Sequence, residues 1–143
     1  MGGSHVKLAT DQLEVLLKDN SCEGLEIPVS KLADIFTLGD WQQAILELED
    51  SLLSKIDDIL NAKKVPVLYT TREEMKFSSY SKRMNFGLEL AEFMAILVRK
   101  ITNKLGYIIS KGGITTQLLL QKGLNFKQVD LKGQILPLSL IHI

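Results

Sequence analysis

The chain is poor in the side chains that most often hold metals or crosslink a fold. Among its 143 residues there are one cysteine, Cys22, and two histidines. A single cysteine excludes an intrachain disulfide, and with only two histidines it leaves no zinc-binding constellation. We therefore expect no metal site built from these side chains. Cysteine usage this sparse fits a reducing compartment, and we expect a cytoplasmic location.

An excess of charge of one sign is also lacking. Lysine plus arginine number 17, and aspartate plus glutamate number 17. Such a balance creates no net field that would favour nucleic acid or an anionic membrane. No apolar run reaches the roughly 18 to 20 residues of a membrane-spanning helix, and the first residues do not resemble a signal peptide. We expect neither nucleic acid nor membrane as a partner.

What is present is the composition of one ordinary globular domain. Hydrophobic residues make up 45% of the chain and charged residues 24%, and the length suffices for one core. Periodicity predicts helices over 10–20, 31–36, 41–62, 86–105 and 115–122, strands over 24–29, 65–70, 108–110 and 125–131, and a loop over 75–85. Helices alternating with strands predict a three-layer α/β fold with a mostly parallel sheet flanked by helices.

Two hydroxyl residues are predicted to begin helices. Thr10 has the residue type of an N-cap and is followed by an acidic residue and an apolar face, and Ser30 precedes the short helix in the same way. Residues 1–6 are glycine-rich, and they fit either the end of a strand or an unstructured tail.

The stretch Ile108–Thr116 carries the most chemistry. Its pattern is a short strand, then Lys111, the glycine pair Gly112-Gly113, and a helix beginning at Thr115 or Thr116. The first N–H groups of a helix have no partner within it, and glycine lets an anion approach the backbone, so the pattern favours phosphate binding. The alternative is an ordinary strand-to-helix turn, since the pattern matches neither the P-loop nor the dinucleotide fingerprint.

A second polar group follows the strand at 65–70. Thr70, Thr71 and Arg72 stand at its C-terminal end, the edge at which open α/β sheets bind ligands. We therefore take Thr70 and Arg72, with Lys111, as candidate ligand contacts. The alternative for Arg72 is an ion pair with Glu73 or Glu74.

Several short blocks resemble the C-terminal nucleotide-binding domain of the four-carbon acid sugar kinases, the tetronate kinase family. The blocks occur in the family's order and cover the chain to about Pro137. They are Gly3-Ser4-His5-Val6 with Thr10-x-Gln12-Leu13, Tyr69-Thr70-Thr71-Arg72, Lys111-Gly112-Gly113-Ile114-Thr115, and Gly133-Gln134-Ile135-Leu136-Pro137.

This resemblance implies a kinase that uses ATP to phosphorylate a terminal hydroxyl of a four-carbon sugar acid, of the tetronate or 3-oxo-tetronate type. Ser4 matches the family's ATP-contacting serine, and Gly112, Gly113, Ile114 and Thr115 match its glycine-containing ATP loop. The resemblance also implies Mg²⁺ arriving with ATP, and a sugar acid held by a separate N-terminal domain. No individual catalytic residue is assigned.

The chain also departs from the family pattern. The substrate domain and a second glycine-rich nucleotide loop have no counterpart, and residues 138–143 do not follow the family's continuation. We therefore expect residues 1–137 to be an incomplete nucleotide-binding domain followed by an atypical tail, inactive by itself and at risk of self-association through exposed apolar surface. The alternative function is a non-catalytic kinase-like module that serves as an interaction domain in a larger protein.

Overall fold

The computed structural model describes residues 3–71, 77–130 and 132, with side chains from residue 9 onward. Five α-helices and two strands follow one another within these ranges, with a 3₁₀ turn at Thr102–Lys104 and a π-helical turn at Leu119–Gly123. The elements are α1 (Gly3–Leu17), β1 (Cys22–Ile27), α2 (Val29–Leu38), α3 (Trp41–Asn61), β2 (Val65–Thr70), α4 (Tyr80–Ile101) and α5 (Gly113–Leu118). Within the described ranges, no helix combines the length and apolarity needed to cross a bilayer.

The sheet consists of β1 and β2, paired in parallel with Cys22 opposite Val65 and Ile27 opposite Thr70. The strand predicted at 65–70 is confirmed with its bounds, and the strand predicted at 24–29 forms two residues earlier, at Cys22–Ile27. The connection between them carries α2 and α3, as a parallel pair requires. The chain is therefore mostly helical, with a small parallel sheet flanked by helices, which confirms the predicted α/β class.

Helices cover both faces of this sheet. Leu25 and Ile27 are buried in the main core with residues of α3 and α4. Residues that alternate with them point to the other face, where a Cβ built on Gly24 would lie 2.7 Å from Leu17 of α1. The three layers are α1, the sheet, and the α3–α4 pair.

An aromatic cluster joins α2, α3 and the first part of α4. Phe86 is 1% exposed, and its ring centroid lies 5.5 Å from that of Phe36, 5.7 Å from that of Trp41 and 5.4 Å from that of Phe77. Such inclined ring pairs add to the stabilisation from buried area. The cluster fixes the N-terminal part of α4 against α2.

The loop predicted over 75–85 is wrong for its second half, because α4 begins at Tyr80. The Ser79 hydroxyl accepts a hydrogen bond from the Lys82 backbone N–H at 3.2 Å, which is an N-cap. The polar residues after the cap form the solvent face of the first turns, and burial of Phe86 holds those turns in place.

Both predicted N-caps before α3 are also wrong. Helix α1 already begins at Gly3, so Thr10 lies inside it. Ser30 lies inside α2, which begins at Val29 after Pro28. The Thr71 hydroxyl supplies the α2 cap from a distant part of the chain by accepting from the Val29 N–H at 2.9 Å.

We call residues 105–130 the turn segment. The strands predicted at 108–110 and 125–131 are wrong over the described residues, since no strand forms between 105 and 130. Ile109 is 87% exposed, because no neighbouring strand pairs with it among the described residues. The turn segment contacts the rest of the fold mainly through α5 and the π-helical turn, which both pack on α4.

Candidate functional site

The glycine turn is built around the start of α5. Gly112 has φ 101° and ψ 133° and precedes the first helical residue, Gly113. The helix thus begins two or three residues before the predicted start at Thr115 or Thr116. The Thr116 N–H donates to the Gly112 carbonyl at 2.9 Å, and the hydroxyls of Ser110 and Thr116 lie 2.9 Å apart. Both hydrogen bonds join Thr116 to the residues before the helix and so stabilise the turn.

The two glycines have different roles in this turn. The positive φ of Gly112 is a conformation that other residues rarely adopt, so glycine is required there. At Gly113 an added Cβ would meet no atom within 4 Å, so nothing in the described structure demands glycine for packing. The backbone at Gly113 is open to a ligand that a side chain would obstruct.

Lys111 connects the turn to helix α1. Its Nζ donates a hydrogen bond to Gln12 Oε1, across a sequence separation of 99 residues. The structure thus brings the Lys111–Thr115 block beside the helix that carries the first family-like block. Ser4 lies on the same helix, eight residues and roughly 12 Å along the axis from Gln12 at 1.5 Å per residue.

Thr70 and Thr71 stand at the C-terminal end of β2, as the sequence predicts. Thr70 pairs with Ile27 at the C-terminal end of the sheet. The hydroxyl of Thr71 is engaged with the backbone of α2, and its N–H donates to the Ile27 carbonyl at 3.0 Å. Thr71 therefore has a structural role. Arg72, the other candidate contact at this edge, lies outside the described residues.

A groove of about 300 Å³ lies between α4 and α5. Ile114 and Thr115, two residues of the predicted nucleotide loop, form one side, and Arg83 and Gly87 belong to the other. Sequence reasoning missed the α4 side because residue 83 was placed in a loop. The four-residue spacing of Arg83 and Gly87 would have put them on one helical face, had the Ser79 cap been recognised.

Charged groups away from the turn are used structurally. Glu49, which is 6% exposed, pairs with Lys100, and Lys122 Nζ lies 2.6 Å from Glu92 Oε1. The pKa of Asp19 is lowered because the Ser21 hydroxyl, and then the Ser21 backbone N–H, donate to its carboxylate, in the turn that leads into β1. No group of three or more potential metal ligands occurs in the described part of the chain.

Comparison with protein families decides the class of this domain. Residues 1–141 match the model of the nucleotide-binding C-terminal domain family. The chain belongs to this family. Neither the curated proteins nor the solved structures contain a significant match to it. The glycine turn and its adjoining groove are the candidate ligand site of this domain. They combine accessible backbone, the basic side chains of Lys111 and Arg83, and an apolar wall that includes Ile114.

Proposed function

We propose that this nucleotide-binding domain binds ATP with Mg²⁺ and serves a kinase that phosphorylates a four-carbon sugar acid of the tetronate or 3-oxo-tetronate type. The sugar acid would be held by a separate N-terminal substrate domain, and the parent enzyme would act in the cytoplasm. The family match over residues 1–141 carries the nucleotide part of the proposal. The ordered resemblance of the short motifs supports the kinase part.

The glycine turn is the proposed phosphate site. Gly112 holds a positive φ, and the N–H groups of the first turn after it have no helical partner. Open space at Gly113 lets phosphate oxygens reach this backbone. Lys111 is exposed beside the turn and can exchange its neutral Gln12 partner for a phosphate, because an ionised acceptor forms the stronger hydrogen bond.

Mg²⁺ enters the proposal with the nucleotide. A metal that arrives with ATP is held largely by phosphate oxygens and water, so it needs no dedicated cage of protein carboxylates. When bound, the metal would neutralise charge on the phosphates. The turn would orient the phosphate chain through its backbone, which is the main requirement of phosphoryl transfer. Ser4 is proposed as a further ATP contact from α1.

The test is calorimetric titration of the chain with ATP and Mg²⁺, comparing the wild type with Gly113→Asp. The variant places bulk and negative charge at the proposed phosphate position. Because a Cβ at residue 113 meets nothing within 4 Å, the fold should tolerate it. We expect wild-type binding and at least a roughly tenfold loss of affinity in the variant.

Gly106→Asp is the matched control. An added Cβ at Gly106 also meets nothing within 4 Å, and Gly106 lies outside the glycine turn at 111–115. It should retain wild-type affinity. A folded wild-type chain that binds no ATP would refute the proposal. An equal loss of ATP affinity in Gly113→Asp and Gly106→Asp would show that the nucleotide does not bind at the glycine turn.

Lys111 and Gln12 offer a second variant of the same test. Gln12→Ala frees the lysine without changing its charge and should leave ATP affinity intact or raise it. Lys111→Gln should lower affinity by roughly fivefold if the ammonium contacts phosphate. If the two variants affected binding equally, the lysine would act only by holding α1 beside the turn.

A further inference from the structure

The groove between α4 and α5 contains a helical glycine that packing does not explain. Gly87 lies well inside α4 (Tyr80–Ile101), where glycine weakens a helix relative to alanine. An added Cβ would meet no atom within 4 Å, so no close approach of another element requires glycine. Instead Gly87 lines the groove, and its missing side chain leaves bare helix backbone as the floor.

The walls beside this floor are apolar and accessible. Met84 and Leu88 line the α4 side and are 37% and 44% exposed, and Ile114 lines the α5 side and is 52% exposed. Apolar side chains on both sides of an open floor suit a flat ring, which can contact the walls and the helix backbone at once. A side chain larger than hydrogen at residue 87 would reduce that space.

The lining of the groove carries positive charge and no negative charge among the described residues. Arg83 is the only charged residue among the described residues that line it. It forms no ion pair within the described part of the chain, and it stands one helical turn from Gly87. A ligand that complements this groove has a flat apolar part and an anionic part. A nucleotide has both, with its base separated from its phosphates.

We propose that the α4–α5 groove holds the base of the nucleotide over Gly87, and that Arg83 contacts its phosphates. This inference rests on the proposed function, since it assigns the remainder of the ligand whose phosphate chain lies at the glycine turn. Thr115 borders both regions. The volume of about 300 Å³ lies at the lower end of small-molecule sites, which fits a base and sugar more closely than a whole triphosphate.

The deciding variant is Gly87→Leu, with Asn85→Leu as its matched control. Both place leucine on the same exposed stretch of α4, but Asn85 does not line the groove. Gly87→Leu should raise the melting temperature, because leucine favours helix, and should lower ATP affinity at least about tenfold. Asn85→Leu should bind ATP as the wild type does. If Gly87→Leu melts at a higher temperature and yet binds ATP more weakly, the loss of affinity cannot come from unfolding.

Inorganic tripolyphosphate separates the base from the phosphates. Arg83→Gln should weaken ATP and tripolyphosphate alike by about fivefold to tenfold. Gly87→Leu should weaken ATP and leave tripolyphosphate unchanged. This pair of results would support the placement of both parts of the ligand.

Three other outcomes would overturn the placement. If Gly87→Leu binds ATP like the wild type, the base lies elsewhere, although the nucleotide-binding function stands. If Gly87→Leu weakens tripolyphosphate as strongly as ATP, the groove holds phosphate and not base. If the folded wild type binds neither probe, the proposed function fails together with this inference.

Discussion

The turn segment and the α2–α4 core that carries the sheet are packed in very different ways. The core buries large side chains completely, including Ile27, Phe86 and Leu97. In the turn segment only Leu119 and Gly123 are buried among the described residues, and Phe126 remains 52% exposed. The candidate site lies where the turn segment packs on α4 of the core. A rigid helix thus supplies one wall, and a lightly packed turn supplies the accessible backbone.

The largest difference in the free energy of unfolding should appear when one phenylalanine in each region is replaced by alanine. Phe86→Ala should lower the free energy of unfolding by about 3–5 kcal/mol, because it leaves a cavity in the aromatic cluster. Phe126→Ala should lower it by about 1 kcal/mol or less, because that ring is half exposed. Urea denaturation of both variants measures the difference. Comparable losses would show that the turn segment is as tightly integrated as the core.

Ion pairs provide the next comparison. Lys100→Met leaves the buried Glu49 carboxylate without its partner, which should cost about 1–3 kcal/mol. Lys122→Met breaks the more exposed pair with Glu92, whose side chain is 36% exposed, and should cost about 1 kcal/mol or less. The same denaturation experiment applies. A larger loss at Lys122 would contradict the ranking of the two regions.

Gly123 tests how closely the turn segment contacts α4. A Cβ at this position would lie 2.8 Å from the Ala95 carbonyl oxygen, so Gly123→Ala must displace the π-helical turn. Overpacking typically costs about 1–3 kcal/mol, and alanine's better helix propensity offsets up to about 1 kcal/mol. We expect a net loss near 1 kcal/mol, with faster amide exchange confined to α5 and the π-helical turn.

Gly106→Ala is the control for that experiment, since its added Cβ would meet nothing within 4 Å. Its unfolding free energy should change by no more than about 0.5 kcal/mol. Exchange that accelerates throughout α3 and α4 in Gly123→Ala would show that the two regions unfold together.

The smallest effect concerns acid sensitivity. Hydrogen bonds from Ser21 lower the pKa of Asp19 from its ordinary value of 3.8. A carboxylate with a lowered folded-state pKa stabilises the fold above its unfolded pKa, and that stabilisation is lost as the pH falls through the folded value. Ser21→Ala removes the side-chain hydrogen bond and should therefore raise the pKa of Asp19. NMR titration of the Asp19 carboxyl carbon measures this change. Ser110→Ala, the same change in the turn segment, should leave it unaltered.

Prediction succeeded where a pattern depends on neighbours along the chain. The strand Val65–Thr70 appears with the predicted bounds, and α3 ends within one residue of its predicted end, because apolar spacing reports directly on burial. Prediction failed for Ile108–Ser110. An apolar run indicates burial, but a strand also needs a paired neighbour, and no pairing occurs for these residues within the described structure.

The candidate site was predicted in part. The glycine pair and Lys111 were selected from residue type, and their role in nucleotide binding stays a prediction. Arg83 and Gly87 were not selected, because they gain meaning only from lying opposite Ile114 and Thr115. Their separation of about 30 residues along the chain carries no local signal.

The sequence by itself determined the α/β class, the two strands, the apolar faces of the long helices and the membership of a nucleotide-binding family. Local periodicity and motif order suffice for these because each is encoded in adjacent residues. The tertiary structure decided that Thr71 caps α2, that Lys111 meets Gln12 of α1, and that α4 and α5 enclose a groove. These features depend on which distant surfaces pack together, and burial energy summed over the whole core selects that arrangement.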